Sequence, residues 1–255
     1  MEATAGHSAF FFSGRLMPAE LANFNVQNVL LRDRKGARLE ILSHCIAIWW
    51  PSRPRNEFDD LADAARRWIR TIASAYYLET DIPLEPDLVG WVEALDVQAE
   101  EAVVGFADPR FLKVKTPPAE ADENRRMREA IKLAVRLRRR GGDLERATHE
   151  ALAAANDGTP QSFLSAYRAP ECVRRIYEPA WAQRARGWTT MGADLALQLG
   201  AEYLLLEQAA QAIRHGDIPA RRSARHVVNR ARRRRDELPG FTTRLVVHAA
   251  TERHA

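Results

Sequence analysis

Cysteine is scarce in this chain: 255 residues hold two, Cys45 and Cys172, far apart and in no CxxC setting. Two thiols cannot by themselves complete a four-ligand structural zinc site. A lone, widely spaced pair reads as reduced thiols in a cytoplasmic protein, not as a disulfide framework. Long apolar runs are missing too. None reaches the roughly 18 residues of a membrane-spanning helix, so no membrane partner is expected. The opening stretch, MEATAGHSAFFFSGRL, does not follow the basic, apolar and small-residue order of a secretory signal. The common ligand signatures are also absent. No GxGxxG, GxxxxGK or GxSxG occurs, which removes the usual dinucleotide, P-loop and hydrolase-elbow chemistries. His149-Glu150 opens like a zinc protease's HExxH, but Ala153 stands where the second histidine belongs. No cofactor and no metal are expected.

What is present is an ordinary globular composition, 46% hydrophobic and 28% charged. Such a chain can bury a real core and is not wholly disordered. Its charge is uneven. Residues 1–117 hold 13 Lys/Arg against 17 Asp/Glu, whereas residues 118–255 hold 25 against 17. The excess concentrates in residues 221–235, which contain eight arginines and no acid. A cluster of that kind favours a polyanion, through counterion release, or an acidic patch on a protein.

The first third reads as strands. Residues 9–16 are apolar and aromatic, and residues 23–32 alternate Phe24 and Val26 with Asn25 and Gln27. A polar turn ending in Gly36 leads to a long strand over 38–50. Leu39, Ile41, Cys45 and Ala47 would line one of its faces, and Leu42, Ile46, Ile48 and Trp50 the other. Pro51 and Pro54 are expected to end it. Asn56, with Asp59 three residues on, reads as a capping box for a helix whose inner stripe is Phe58, Leu61, Ala65, Trp68, Ile69, Ile72 and Tyr76. The carboxylates Glu57, Asp59, Asp60 and Asp63 then complement the helix dipole. Trp49, Trp50, Trp68 and Trp91 sit on apolar faces and read as core residues. Residues 88–96 and 102–106 read as further strands, and Thr116-Pro117-Pro118 as a domain boundary.

Beyond it the chain reads as helical. A helix over 120–140 is stopped by Gly141-Gly142, and Asp143 caps a second with Leu144, Ala147, Ala151, Leu152 and Ala155 inward. Thr159 caps a third, with Pro160 at its first position, disturbed at Pro170. Residues 189–213 are apolar on most sides and should form the most buried helix. Pro219 opens a basic last helix, and residues 241–248 read as a strand. The fold class expected is therefore α+β. An antiparallel sheet with one packed helix spans 1–117, and an all-α bundle spans 118–255.

The most informative stretch is 214–235, RHGDIPARRSARHVVNRARRRR. Cleaving RNA through its 2′-hydroxyl needs a base, an acid, and positive charge on the phosphorane. Histidine transfers protons near neutrality, and arginine grips phosphate bidentately without losing its charge. Arg222 and His226 share a helix face at i and i+4. Arg214 and His215 sit at the preceding helix terminus, where a cation is favoured in any case. These four are the candidate catalytic residues. Arg221, Arg225, Arg230, Arg232 and Arg233 are the candidate nucleic-acid contacts.

The segment SFLSAYRAPECVRRIYEPAW, a long apolar helix ending AIRHGDIP, and a basic amphipathic helix follow one another over roughly 143–236. This order resembles a bacterial family of unknown function that joins a sheet region to a helical domain bearing YRAxE and a late RHG. That helical arrangement is similar in outline to the HEPN superfamily, the higher-eukaryote and prokaryote nucleotide-binding domains. The resemblance implies a helical domain in a bacterial defence or regulatory system, a homodimer, and metal-independent ribonuclease activity. The superfamily's pattern is an arginine and a polar residue, then a histidine four to six positions after the arginine. Arg214-His215 is followed at 218–220 by Ile, Pro and Ala, while Arg221-Arg222 with His226 meets the spacing one helix later. Two functions therefore stand side by side: a protein that binds or cleaves RNA, and a non-catalytic protein-binding or scaffold module whose arginines meet acids or solvent.

Overall fold

The structure, a computed structural model, describes residues 7–18, 21–31, 35–94, 121–140, 142–157, 159, 161–177, 199–214, 229, 246, 247 and 249. Its fold is α+β, as the alternating and helical periodicities require. The chain divides into two compact units, Met1–Val135 and Arg136–Ala255. The expected boundary at Thr116-Pro117-Pro118 lies outside the described residues, as does the expected strand at 102–106.

Among the described residues, the first unit is built on five antiparallel strands: β1 (His7–Met17), β2 (Phe24–Leu30), β3 (Arg38–Ser43), β4 (Cys45–Pro54) and β5 (Glu85–Ala94). They lie in the order β2-β3-β4-β1-β5. The strand expected over 38–50 is in fact a hairpin. Leu42 pairs with Cys45, and the chain reverses at Ser43, whose φ is 54°. The reversal changes the parity of the side chains. Odd-numbered Leu39 and Ile41 now share a face with even-numbered Ile46, Ile48 and Trp50, and all five are fully buried. The opposite face of β4 is covered as well, since Cys45 and Ala47 are buried and Trp49 is half-buried.

Nor does β4 stop at Pro51. It runs to Pro54 because the ladder to β1 slips between Ser8 and Phe10, pairing Phe10 with Trp50 and Ser8 with Arg53. Residues 51 and 52 thus face a single residue, a bulge that spares Pro51 the donor it lacks.

Helix α1 (Phe58–Thr80) covers this sheet face. Leu61, Ala65, Trp68, Ile69, Ile72 and Tyr76 are buried as the periodicity demands. Trp50 and Trp68 are core residues, as expected, while Trp49 is half-buried and stacks on Phe11. Phe12 meets Trp50 edge-on at 5.8 Å, and Phe24 meets Tyr76 at 5.2 Å. Fully burying each such ring is worth about 1.5–3 kcal/mol. Gly14 makes the close approach possible: a Cβ there would stand 2.5 Å from the Asp87 carbonyl oxygen and 2.9 Å from Ile69 Cδ1. The expected capping box does not form. A 3-10 turn, Arg55–Glu57, precedes the helix, Glu57 is the capping residue, and no side chain bonds the first turn. The Glu57 carboxylate is instead held by Lys35 Nζ at 2.8 Å. Asp59 and Asp60 occupy the first turn, where the dipole favours them.

Helix α2 (Ala121–Arg140) starts in the first unit and ends in the second. Its Asn124 Oδ1 accepts a 2.7 Å hydrogen bond from the Asn25 backbone N–H, occupying a donor on the edge strand β2.

In the second unit, α3 (Gly142–Asn156), α4 (Ser162–Tyr177) and α5 (Leu199–Arg214) are helices. Leu144, Ala147, Ala151 and Leu152 of α3 are buried as expected, whereas Ala155 is half-buried. Thr159 Oγ1 accepts from the Gln161 N–H at 3.2 Å ahead of α4. That helix continues through Pro170, which sits inside it without ending it. Within α5, Leu205, Leu206, Ala209, Ala210 and Ile213 are buried. Residues 189–198 of the expected helix lie outside the described residues. Val246, Val247 and Ala249 are helical, so the strand expected over 241–248 is corrected there, and Val246 and Ala249 are buried. Among the described residues, no helix is long and apolar enough to cross a membrane.

Candidate functional site

Two stripes of side chains at helical spacing face one another in the second unit. Leu164, Tyr167, Arg168, Glu171 and Arg175 form the stripe on α4, and Glu207, Ala210, Gln211 and Arg214 the stripe on α5. Between them lies a cavity of about 570 Å³, within the roughly 300–1,000 Å³ of small-molecule sites. Leu164 and Ala210 give it an apolar surface. Ala210, itself buried, is also small enough to leave the space open.

The polar lining is organised around Glu171. Its carboxylate is buried, and Oε2 accepts from Arg174 Nη2 at 2.5 Å. Oε1 accepts from the Tyr167 hydroxyl at 3.4 Å. The buried negative charge is thus compensated from below by Arg174, and the tyrosine ring is tethered at its tip. A charge left uncompensated at this depth would cost several kcal/mol, so the two residues are interdependent.

Three further guanidinium groups line the cavity and stand exposed: Arg168, Arg175 and Arg214. Arg168 lies 3.9 Å from Glu150, and Arg175 lies 3.6 Å from Asp143. The Arg175–Asp143 pair is exposed on both sides and contributes little, so its guanidinium can exchange its partner for a phosphate, whereas Glu150 is largely buried and holds Arg168 at longer range. Arg214 ends α5 and makes no ion pair among the described residues. With Glu171 matched to Arg174, these three cations stand against Glu207 in the lining and against Glu150 and Asp143 beside it. The cavity is lined by charged and hydrogen-bonding groups of both signs.

Cys172 lies beside Glu171 in sequence and is a free, buried thiol. Burial pushes it up to about 11; Arg175 and Arg146 pull it down, while Asp143 and Glu150 push it further up. A thiol so disposed stays protonated and is no nucleophile near neutrality. Cys45 is also free and buried. Among the described residues, no three His, Cys, Asp or Glu side chains converge as metal ligands would.

Of the residues singled out from sequence, Arg214 is therefore part of a cavity. His215, Arg222 and His226 lie outside the described residues, and so do Arg221, Arg225, Arg230, Arg232 and Arg233. Sequence reasoning did not select Tyr167, Arg168, Glu171, Arg175, Glu207 or Gln211 as site residues. The signal was the spacing 164, 167, 168, 171, 175 on a helix expected to be disturbed at Pro170. No protein-family model, curated protein or solved structure matches the chain.

Proposed function

We propose that this protein interacts with RNA or another polyanion through its helical unit, a HEPN-like module of a bacterial defence or regulatory system. The observation that carries this reading is the cavity where Arg168, Arg175 and Arg214 converge. The arginine-rich stretch 221–235 begins seven residues after Arg214 in the sequence. Guanidinium groups in a concave site hold one phosphate, and a run of arginines favours further phosphates by counterion release. Binding is the form that this lining supports. Its described side chains grip and orient but include no histidine. Ribonuclease activity of the superfamily's kind would rest on His215 or on Arg222 with His226.

The test is a titration of the protein into single-stranded RNA across a salt series. The expected result is an affinity that falls steeply with salt, with a logarithmic slope of about −0.7 per phosphate neutralised. Replacing Arg232 and Arg233 by Glu should make the slope shallower by roughly 1.4. Incubating the same RNA with the parent, His226→Ala and Arg222→Ala proteins reads cleavage separately, and light scattering on these samples reads the homodimer that the resemblance implies. Absence of RNA binding at low salt would overturn the reading in favour of a protein-binding module. One observation favours that second role for the sheet unit: among the described residues β2 is an edge strand, and its Leu30 is 59% exposed.

A further inference from the structure

We infer that the groove between β2 and α2 binds an aliphatic monocarboxylate, of which a medium-chain fatty acid is the simplest member. The groove lies wholly within the first unit and is independent of the polyanion reading. Its volume is about 540 Å³, in the range of small-molecule sites. Val29 supplies the strand wall. It pairs with Leu39 and so faces the side of the sheet that α1 covers. The opposing wall is one face of α2 from Ala121 to Lys132, which at about 1.5 Å per residue makes a trough on the order of 16 Å long. That length suits an extended chain. Val29, Ala121 and the buried Ile131 are aliphatic, and the described lining holds no aromatic ring on which a ligand ring would stack. The methylene stems of Arg128 and Lys132 extend this apolar surface while their charged heads stay in water.

The charges select the head group. Arg125 meets Asp122 at 3.3 Å and Lys132 meets Glu129 at 2.7 Å, both as exposed i,i+3 pairs. Arg128, also exposed, makes no ion pair among the described residues. Three cations against two carboxylates leave one positive charge, which matches a carboxylate and undercompensates a phosphate dianion. Asn124 lies one turn before Arg128 on the same helix face. Its Oδ1 is committed to the Asn25 N–H at 2.7 Å, so what it offers a ligand is the donor pair on Nδ2. Carboxamide and guanidinium together form a donor set, and an ionised carboxylate is the acceptor-only head that such a set prefers over an alcohol or an amine.

Calorimetric titration of the full chain with decanoate, kept below its micelle concentration, tests the inference. Decanoate should bind at one site, at least tenfold more tightly than acetate, which keeps the head without the chain. Decylammonium, the same length of chain with the opposite charge, should bind at least tenfold more weakly than decanoate. Phenylbutyrate, a carboxylate bearing a ring, should also bind more weakly. Arg128→Gln, at an exposed position, should weaken decanoate at least fivefold. Val29→Glu sets a second carboxylate into the apolar wall and should abolish its binding, provided its circular dichroism matches the parent's. If Val29→Glu unfolds, Arg128→Gln alone decides. Acetate binding as tightly as decanoate would overturn the inference and leave a plain anion site. Equal affinity for decylammonium would overturn it in favour of unspecific adsorption of apolar chains, and tighter binding of phenylbutyrate would overturn the aliphatic assignment. Decanoate held equally by the parent and Arg128→Gln, or no saturable binding at all, would remove the site from this groove.

Discussion

The two units of this chain solve burial in opposite ways. Among the described residues of the sheet unit, the buried polar side chains are all neutral: Ser8, Thr71 and Ser74. The last two donate to carbonyl oxygens one helical turn back, at 2.7 and 2.8 Å. The rest of that core is apolar, led by Trp50, Trp68, Tyr76, Phe10 and Phe12. In the helical unit Glu145, Glu171 and Arg174 are buried as well. Glu145 receives Arg138 at 2.9 Å, and Glu171 receives Arg174 at 2.5 Å. A buried ion pair is poor evidence of a stability gain, since apolar replacements of the same volume often do as well or better. Retaining charge there is better understood through what it organises. The second pair underlies the cavity where Arg168, Arg175 and Arg214 gather. The candidate chemistry lies in the unit that keeps charges inside.

Removing one half of the deeper pair tests that contrast most severely. Arg174→Met takes away the guanidinium that compensates the buried Glu171 carboxylate, and should destabilise the protein by about 3–5 kcal/mol. Urea unfolding followed by circular dichroism reads the loss. Adding Glu171→Leu to the same chain should restore most of it, because the uncompensated charge is then gone. A loss below about 1 kcal/mol from the single change would mean the pair is solvated, and the contrast between the units would dissolve.

A smaller effect is read by pH, where burial raises Cys172 in the helical unit and also Cys45 and Tyr76 in the sheet unit. The Cys172 thiol, raised by burial to about 11 in the folded protein, ionises near 9.0 once exposed. Below 9.0 it is protonated in both states and its stabilising contribution is whole. As pH climbs through 9.0 toward 11 the unfolded chain releases the proton first, so stability falls. The gap between those two values, at about 1.36 kcal/mol per pH unit, puts the loss on the order of 2–3 kcal/mol. Other groups titrate in that window, so the reading is a difference. The urea midpoint of Cys172→Ala, already lowered at neutral pH by the missing side chain, should fall less between pH 9 and 11 than the parent's. Parallel curves would mean that the thiol does not carry the effect.

Much of the sheet unit could be read in the sequence because its interactions are periodic and local. The α1 stripe from Leu61 to Tyr76 shows itself at helical spacing, and so does the α2 helix. What escaped were decisions that turn on one residue's neighbours. Ser43-His44 is no Asn-Gly turn, so the parity reversal at the β3–β4 hairpin is invisible until Leu42 is seen opposite Cys45. Pro51 is tolerated because of a bulge that slips the register against β1. Val246 and Val247 favour strands by intrinsic preference and are helical in the fold, so that their surroundings override it. The candidate cavity was legible only at Arg214. Its other walls need α4 laid against α5, and a single sequence does not say which faces of two helices meet.

The slightest change is the most instructive, because it holds spacing constant. Arg66–Asp63 and Arg174–Glu171 are both i,i+3 pairs on helices, at 2.7 and 2.5 Å. Their side chains are 60% and 75% exposed in the first case, and 6% and 11% in the second. Water already solvates the exposed pair, and holding two long side chains together costs entropy, so Arg66→Ala should move the unfolding free energy by no more than about 0.5 kcal/mol. Set against Arg174→Met in the same buffer, the difference isolates burial, since sequence separation and geometry are nearly matched. A large loss at Arg66 would instead trace the energy to the i,i+3 geometry itself. The buried carboxylate under the cavity would then be one more helix pair, with no special claim to organise Tyr167.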